Sequence, residues 1–252
     1  MPHSQFEDLA PYYDELMDVV PYEFWADYVV TLFNFVGYYP QTLLDCACGT
    51  GNLSYELAKL GFQVTGIDLS QPMILEAQKK TAPIQAAFPI QFFQGDLTAF
   101  NLERTFDAAT CLYDSLNYIL WISDLQKAFC CVRKHLKPGG IFIFDMNSEW
   151  AFEANLFTQR STNPKKSLHY EWRSRFDQES RVCTVSMNFK KKIDSGDEVV
   201  FRETHQERAY SLQEVESLID VTGWQLLHIF DAYTLNRPHR RSERWFFVVK
   251  AI

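Results

Sequence analysis

Leu43-Leu-Asp-Cys-Ala-Cys-Gly-Thr-Gly-Asn-Leu-Ser54 runs from an apolar stretch into closely spaced glycines and then into a helical pattern. A short apolar run stopped in this way is a strand that meets the first turn of a helix, the place where ligands bind in open α/β sheets. Gly49 and Gly51 remove the Cβ atoms that would keep a ligand off the backbone, and Asp45 supplies a carboxylate beside it. The following residues keep the same alternation. Strands are expected at 63–68, 90–94, 106–112 and 140–147, and helices at 52–59, 72–80 (opened by Ser70) and 123–135, with a further helix at 22–35 ahead of the first strand. Strands separated by helices pair in parallel and carry helices on both faces.

After Asn147 the rhythm changes. Cys183, Val185, Met187 and Phe189 alternate with Val182, Thr184, Ser186 and Asn188, the period of a half-buried strand. An antiparallel meander of about three strands is expected from Ser167 to Tyr210, with Ser195-Gly196 as a two-residue turn. Ser211-Leu-Gln-Glu214 reads as a capping box whose helix ends at Gly223, where a left-handed residue is cheapest. Residues 224–233 and 244–250 form two last strands, antiparallel because the link between them is too short for a crossover helix. Ser4-Gln-Phe-Glu7 is a second capping box, at the N-terminus. The chain thus divides into a core of residues 1–147 and 211–252, and an inserted meander over residues 148–210.

An apolar content of 47% over 252 residues supplies a full core and excludes a mainly disordered chain. With 24 Lys and Arg against 32 Asp and Glu, the net charge of −8 opposes nucleic-acid binding, and Lys190-Lys-Lys192 and Arg237 to Arg244 read as solvated basic faces. No leader pattern opens the sequence and no apolar run matches a membrane span, so a cytoplasmic protein without membrane partners is expected, as monomer or homodimer. Cys46, Cys48, Cys111, Cys130, Cys131 and Cys183 lack CxxC spacing; reduced thiols and no metal centre are expected.

Asp68 of Gly66-Ile-Asp-Leu-Ser70 ends the second strand and can accept both hydroxyls of a ribose across the crevice. Asp96 of Gly95-Asp-Leu97 ends the third, where it can accept an adenine amine while Leu97 offers its N–H. A dinucleotide fingerprint, Gly-x-Gly-x-x-Gly, fails here, because positions 47, 49 and 52 are Ala, Gly and Asn. Three acids at consecutive strand ends are a far more specific signal than any one of them.

Those motifs, with Phe106-Asp-Ala-Ala-Thr-Cys-Leu-Tyr-Asp-Ser-Leu-Asn-Tyr118 and Leu136-Lys-Pro-Gly-Gly-Ile-Phe-Ile-Phe-Asp145, resemble those of class I S-adenosylmethionine-dependent methyltransferases. Tyr12-Tyr-Asp-Glu-Leu-Met17 and Tyr22-Glu-Phe-Trp25 are similar to the openings of bacterial small-molecule methyltransferases, including those acting on amino-sugar nitrogens. The resemblance implies a Rossmann-like seven-stranded sheet, mostly parallel with its last strand antiparallel, an inserted antiparallel meander over the acceptor and an N-terminal helical lid over residues 1–25. It implies S-adenosylmethionine as cofactor and S-adenosylhomocysteine as product. The glycine turn, with Asp45, Ala47, Gly49, Thr50 and Gly51, would lie under the methionine part, Asp68 with Leu69 and Met73 at the ribose, and Asp96 with Leu97 at the adenine. Leu112, Tyr113, Tyr13 and Trp25 complete the expected contacts, the aromatic faces attracting the sulfonium. Ala47 stands where many members have glycine.

The implied chemistry is in-line displacement on the methyl carbon by a nitrogen, oxygen or carbon of a small molecule, for which the enzyme aligns reactants and removes a proton where needed. Candidates for that work are Tyr13, Asp114, Asn117 and His205, with Asp114 orienting a cationic amine; His169, Trp172 and Tyr210 are further polar-aromatic candidates. Amino-sugar enzymes of this design often have a histidine near the position of Asn117. An NAD-dependent oxidoreductase on a similar fold and a non-catalytic S-adenosylmethionine-binding regulator are the competing readings.

Overall fold

The computed structural model describes residues 6–81, 90–161, 163, 166–193 and 196–252. In chain order the elements are α1 (Tyr13–Leu16), α2 (Tyr22–Phe35), β1 (Thr42–Cys46), α3 (Asn52–Lys59), β2 (Gln63–Asp68), α4 (Gln71–Thr81), β3 (Gln91–Gln94) and β4 (Phe106–Cys111). They continue with α5 (Ile122–Lys134), β5 (Leu136–Asn147), α6 (Glu149–Glu153), β6 (Gln159–Arg160), β7 (Leu168–Asp177), β8 (Val182–Lys192), β9 (Glu198–Arg208), α7 (Leu212–Val221), β10 (Trp224–Asp231) and β11 (Arg244–Ala251).

Seven strands form one sheet in the order β10-β11-β5-β4-β1-β2-β3. β1 pairs in parallel with β2 on one side and β4 on the other, and only β11 runs against its neighbours β5 and β10. The chain therefore leaves β1 toward one edge and returns to build the other. That reversal opens a crevice at the carboxyl ends of β1 and β4.

Strand alternation divides the core into two layers. Leu44, Cys46, Ala109, Phe142 and Phe144 face α5 and α7, packing with Phe129, Val215 and Trp224. Leu43, Val64, Ala108, Ile141 and Ile143 face the other way, against Trp25, Val29, Leu32 and Phe33 of α2. Those helical positions recur at three- and four-residue spacing, which is why residues 22–35 form an amphipathic helix. Ser211 caps α7 with the reciprocal Ser211 and Glu214 bonds expected of a capping box, and Gly223 follows it at φ +80°.

The second sheet, β6-β7-β8-β9, is antiparallel throughout. Cys183, Val185, Met187 and Phe189 form its buried face, covered by Leu9, Leu16 and Met17 from the N-terminal segment and by Phe152 of α6. A short edge strand makes this sheet four-stranded where three were expected: Gln159 and Arg160 carry no apolar alternation, and pairing with Trp172 and Glu171 alone defines the strand. β5 also begins before Gly140, because Leu136 pairs with Phe106 across a bulge. Ser4 of the N-terminal capping box and Ser195 of the meander turn lie outside the described residues. The six cysteines are free thiols. Among the described residues no helix is long and apolar enough to cross a membrane.

Candidate functional site

A cavity of about 1190 Å³ lies at the crevice and reaches to the second sheet. Its floor is the turn after β1, where Ala47, Gly49 and Gly51 take φ of +54°, +55° and +75°. Alternating left-handed residues turn successive N–H groups toward the end of β2: Gly49 donates to Asp68 Oδ2 at 2.9 Å and Cys48 to the Ile67 carbonyl at 2.9 Å. Ala47 holds this conformation without the freedom of glycine, at a strain of about 1–2 kcal/mol. Gly51 faces away from the cavity. A Cβ there would stand 2.5 Å from the Phe92 ring, so its role is to let the turn close on α4 and β3.

Every other residue expected at the cofactor lines the cavity: Tyr13, Trp25, Asp45, Ala47, Gly49, Thr50, Asp68, Leu69, Met73, Asp96, Leu97, Leu112 and Tyr113. Asp45 accepts from Ser54 at 2.5 Å and Thr110 at 3.0 Å, and burial pushes its carboxyl up to about 6. Asp68 accepts a second backbone N–H, from Ser70 at 2.8 Å, and burial raises its carboxyl as well. Each Asp68 oxygen is engaged once and keeps a lone pair for a ligand hydroxyl. Asp96 is exposed, with Oδ1 held by the N–H and hydroxyl of Thr98 at 2.8 Å each.

The N-terminal segment closes one side. Asp14 accepts from Thr50 at 2.6 Å and Asn52 at 2.9 Å and pairs with Lys80 at 2.6 Å, fastening α1 to the glycine turn. Glu15 accepts from Ser167 and the Leu168 N–H, and Glu203 of β9 accepts the Phe6 and Leu9 N–H groups, so the same segment is tied to the second sheet. Trp25 stands between Tyr113 and Tyr233, with ring centroids at 5.1 and 5.6 Å.

The wall facing the second sheet is polar. Tyr113 and Asp114 sit at φ +65° and +54°, a strained pair that turns the Asp114 carboxyl toward Arg244. Arg244 donates to Asp114 Oδ1 at 2.8 Å and to Asp145 Oδ2 at 2.5 Å, while Asp145 Oδ1 accepts the Asp114 N–H at 2.8 Å. Glu207, 3% exposed, joins this wall and accepts from Asn147 at 3.2 Å.

Two expected catalytic residues stand elsewhere. Asn117 is fully buried outside the cavity lining: its amide donates to the Arg208 and Asn147 carbonyls and its oxygen accepts the Asn147 N–H, so it is a clip between β5 and β9 held away from substrate. His205 is also fully buried, bonded to Tyr118 at 3.1 Å and Glu203 at 2.7 Å, and is screened from the cavity by lining residues that include Tyr118 and Phe6. Of the further candidates Trp172 lines the cavity, whereas Tyr210 donates to the Ile119 carbonyl and His169 meets Ser161 away from it. Arg244 corrects the reading of its stretch as a solvated basic face, since its side chain is only 15% exposed. Sequence reasoning missed Arg244 and Glu207; Asp145 ends a quoted motif and was the one signal pointing toward them.

A turn that opens onto the cavity at Gly49, an acid with spare acceptor capacity and an aromatic wall fit S-adenosylmethionine. Comparison with known proteins gives the same answer. The family described as "Methyltransferase domain" matches residues 43–140. YqeM of Bacillus subtilis (strain 168), named as a methyltransferase, is 33% identical over 244 residues, covering 96% of this chain and 95% of its own. The chain belongs to the class I S-adenosylmethionine-dependent methyltransferases. A solved S-adenosylmethionine-dependent methyltransferase from Clostridium acetobutylicum ATCC 824 superposes on this methyltransferase with a TM-score of 0.85 at 30% identity, over 98% of each chain. A dTDP-3-amino-3,4,6-trideoxy-alpha-D-glucopyranose N,N-dimethyltransferase of Streptomyces venezuelae is 31% identical over 105 residues, 42% of each chain.

Proposed function

We propose that this methyltransferase carries the methyl group of S-adenosylmethionine to a nucleophile of a small molecule held between the glycine turn and the second sheet. The observation that carries the reading is the single cavity, continuous from Gly49, Asp68 and Asp96 to Trp172, Val185 and Met187. One space of that size accommodates cofactor and acceptor together, as in-line displacement requires. Residues 148–210 then serve as the acceptor cap, and residues 6–25 as the lid that excludes water. The cofactor supplies an activated methyl group. The chain orients it through Asp68 and Asp96, meets the sulfonium with Tyr13 and Trp25, and places the acceptor with Asp114 and its neighbours. The sugar N,N-dimethyltransferase among the relatives supports a small amine-bearing acceptor.

Titration of the purified protein with S-adenosylhomocysteine and with NADH, followed by radiolabelled methyl transfer to a metabolite extract and mass identification of the product, tests the reading. Binding of the homocysteine product and label in a small molecule are expected. NADH binding alone would favour an oxidoreductase, and cofactor binding without transfer would favour a regulator.

A further inference from the structure

Asp114 and Glu207 line the same cavity, both under one-tenth exposed, and their carboxyls act on each other side chain to side chain. Two carboxylates can share such a contact only if a proton lies between them. The groups around decide where it rests. Arg244 from β11 places one Nη donor on Asp114 and the other on Asp145, which also takes the Asp114 N–H; burial raises the Asp114 carboxyl, but Arg244 opposes that rise, so Asp114 is better placed than Glu207 to carry the charge. Glu207 receives only the neutral Asn147 amide. It faces Asp114 and Tyr118, with Cys183 of β8 as its cross-strand partner, and Arg244 is the one cation of this set. Burial first, and the Asp114 charge second, hold the Glu207 carboxyl well above the usual carboxylate range.

A second observation points to a ligand in this cavity, farther along the second sheet, where Trp172 pairs with Met187 and Met187 with Glu203. Trp172, which also lines the cavity, keeps a buried indole N–H without a partner, a donor that an incoming oxygen or nitrogen would satisfy. With Glu207 neutral, Asp114, Asp145 and Arg244 still leave the wall one negative charge, which disfavours carboxylate or phenolate nucleophiles and favours a cation.

We propose that Glu207 is the catalytic base for an amine acceptor, working as a one-proton pair with Asp114 while Arg244 positions that partner. The assignment rests on the methyl-transfer reading above. The acceptor enters as an ammonium, and its charge displaces the Glu207 proton to solvent. One N–H proton then passes to Glu207; the freed lone pair forms the N–CH3 bond as the C–S bond breaks, its electron pair going to sulfur. Glu207 keeps that proton as the methylated ammonium departs, which restores the resting state, and the next ammonium displaces it to solvent.

Infrared difference spectra of wild type and Glu207→Gln at pH 7 should show the C=O stretch of one protonated carboxyl that the variant lacks. Labelled methyl transfer to a metabolite extract should be lost after amine-selective N-acetylation of the extract. Glu207→Gln should transfer about 10²–10⁴-fold more slowly and lose the acid limb of the pH profile. Glu207→Asp should keep that limb at a reduced rate, which separates a missing base from a misfolded chain. A spectrum unchanged by the substitution, transfer that survives N-acetylation, or a wild-type rate and pH profile in Glu207→Gln would each overturn the proposal. Failure of the wild type to bind S-adenosylhomocysteine in calorimetry would overturn the methyl-transfer reading and, with it, this role; retained binding with normal Glu207→Gln turnover overturns the base alone.

Discussion

Asp68→Ala removes two things at once, and a ligand pair separates them. The Asp68 oxygens each accept one backbone N–H, from Gly49 and Ser70, so alanine leaves both donors of the turn without their partner and also deletes the acceptors for a ribose. A hydrogen bond to a charged group contributes about 1.5–3 kcal/mol, and a stranded N–H about 1 kcal/mol. S-adenosylhomocysteine should therefore bind the variant about 3.5–5 kcal/mol more weakly, of which about 1.5–3 kcal/mol belongs to the ribose. Calorimetry with S-adenosylhomocysteine and its 2′,3′-dideoxy analogue, each against wild type and Asp68→Ala, isolates that share as the coupling energy of a double-mutant cycle. A coupling equivalent to roughly 10–150-fold in Kd is expected. Coupling within about 0.5 kcal/mol of zero, with both proteins folded, would refute the placement of the ribose on Asp68.

Other outcomes follow from the same geometry. Asp45 titrates near 6 in the fold against an ordinary 3.8, so the folded chain keeps a proton that the unfolded chain has lost between those values. Its contribution to stability is full below pH 4 and is lost as pH rises through 6, about 3 kcal/mol for about two pH units. Urea unfolding from pH 4 to 7 should show the gap between Asp45→Asn and wild type moving by that amount in the variant's favour, and a gap constant with pH would refute the burial argument. Gly49→Val forces a β-branched residue to φ +55°, with only Tyr13 within 4.0 Å of the new Cβ; cofactor binding should vanish while stability falls by about 1–2 kcal/mol. Retained binding would show that this turn is not the cofactor floor. Deleting the lid would uncover the apolar face of the second sheet, because Leu9, Leu16 and Met17 pack on it, so Asp14→Ala is the cleaner perturbation. It should weaken S-adenosylhomocysteine binding about fivefold, the half-exposed ion pair contributing about 1 kcal/mol, and amide exchange of residues 6–18 in wild type should slow on ligand addition. Identical exchange with and without ligand contradicts the lid.

Local signals carried most of the fold. The apolar run before the glycines, the period-two alternation of Cys183 to Phe189 and the Ser211 capping box each mark an element within its own few residues, and the structure places them where that chemistry demands. The acids at the carboxyl ends of β1, β2 and β3 were legible for the same reason, since a strand end is a local feature. The acceptor wall was not. Whether Arg244 is solvated depends on β11 lying between β5 and β10, a pairing that no nearby residue announces. Asn117 misled because an amide among polar neighbours looks available, yet three backbone groups from two distant strands consume it. His205 misled in the same way: Glu203 stands two residues away on the same strand, but Tyr118, its second partner, is brought to it only by the tertiary fold.

The position of β11 also sets when this protein becomes able to act during its own synthesis. β11 is hydrogen-bonded on both edges, so β10 has no place in the sheet until residues 244–251 slot in beside β5. Arg244, the first residue of that strand, bridges Asp114 and Asp145, whose mutual repulsion would otherwise splay the loop after β4 from the end of β5. The glycine turn and its acids are complete some hundred and fifty residues sooner in the order of translation. A nascent or truncated chain can thus assemble a nucleotide cradle while its reaction chamber is still unformed, and competence to transfer a methyl group arrives only with the closing strand.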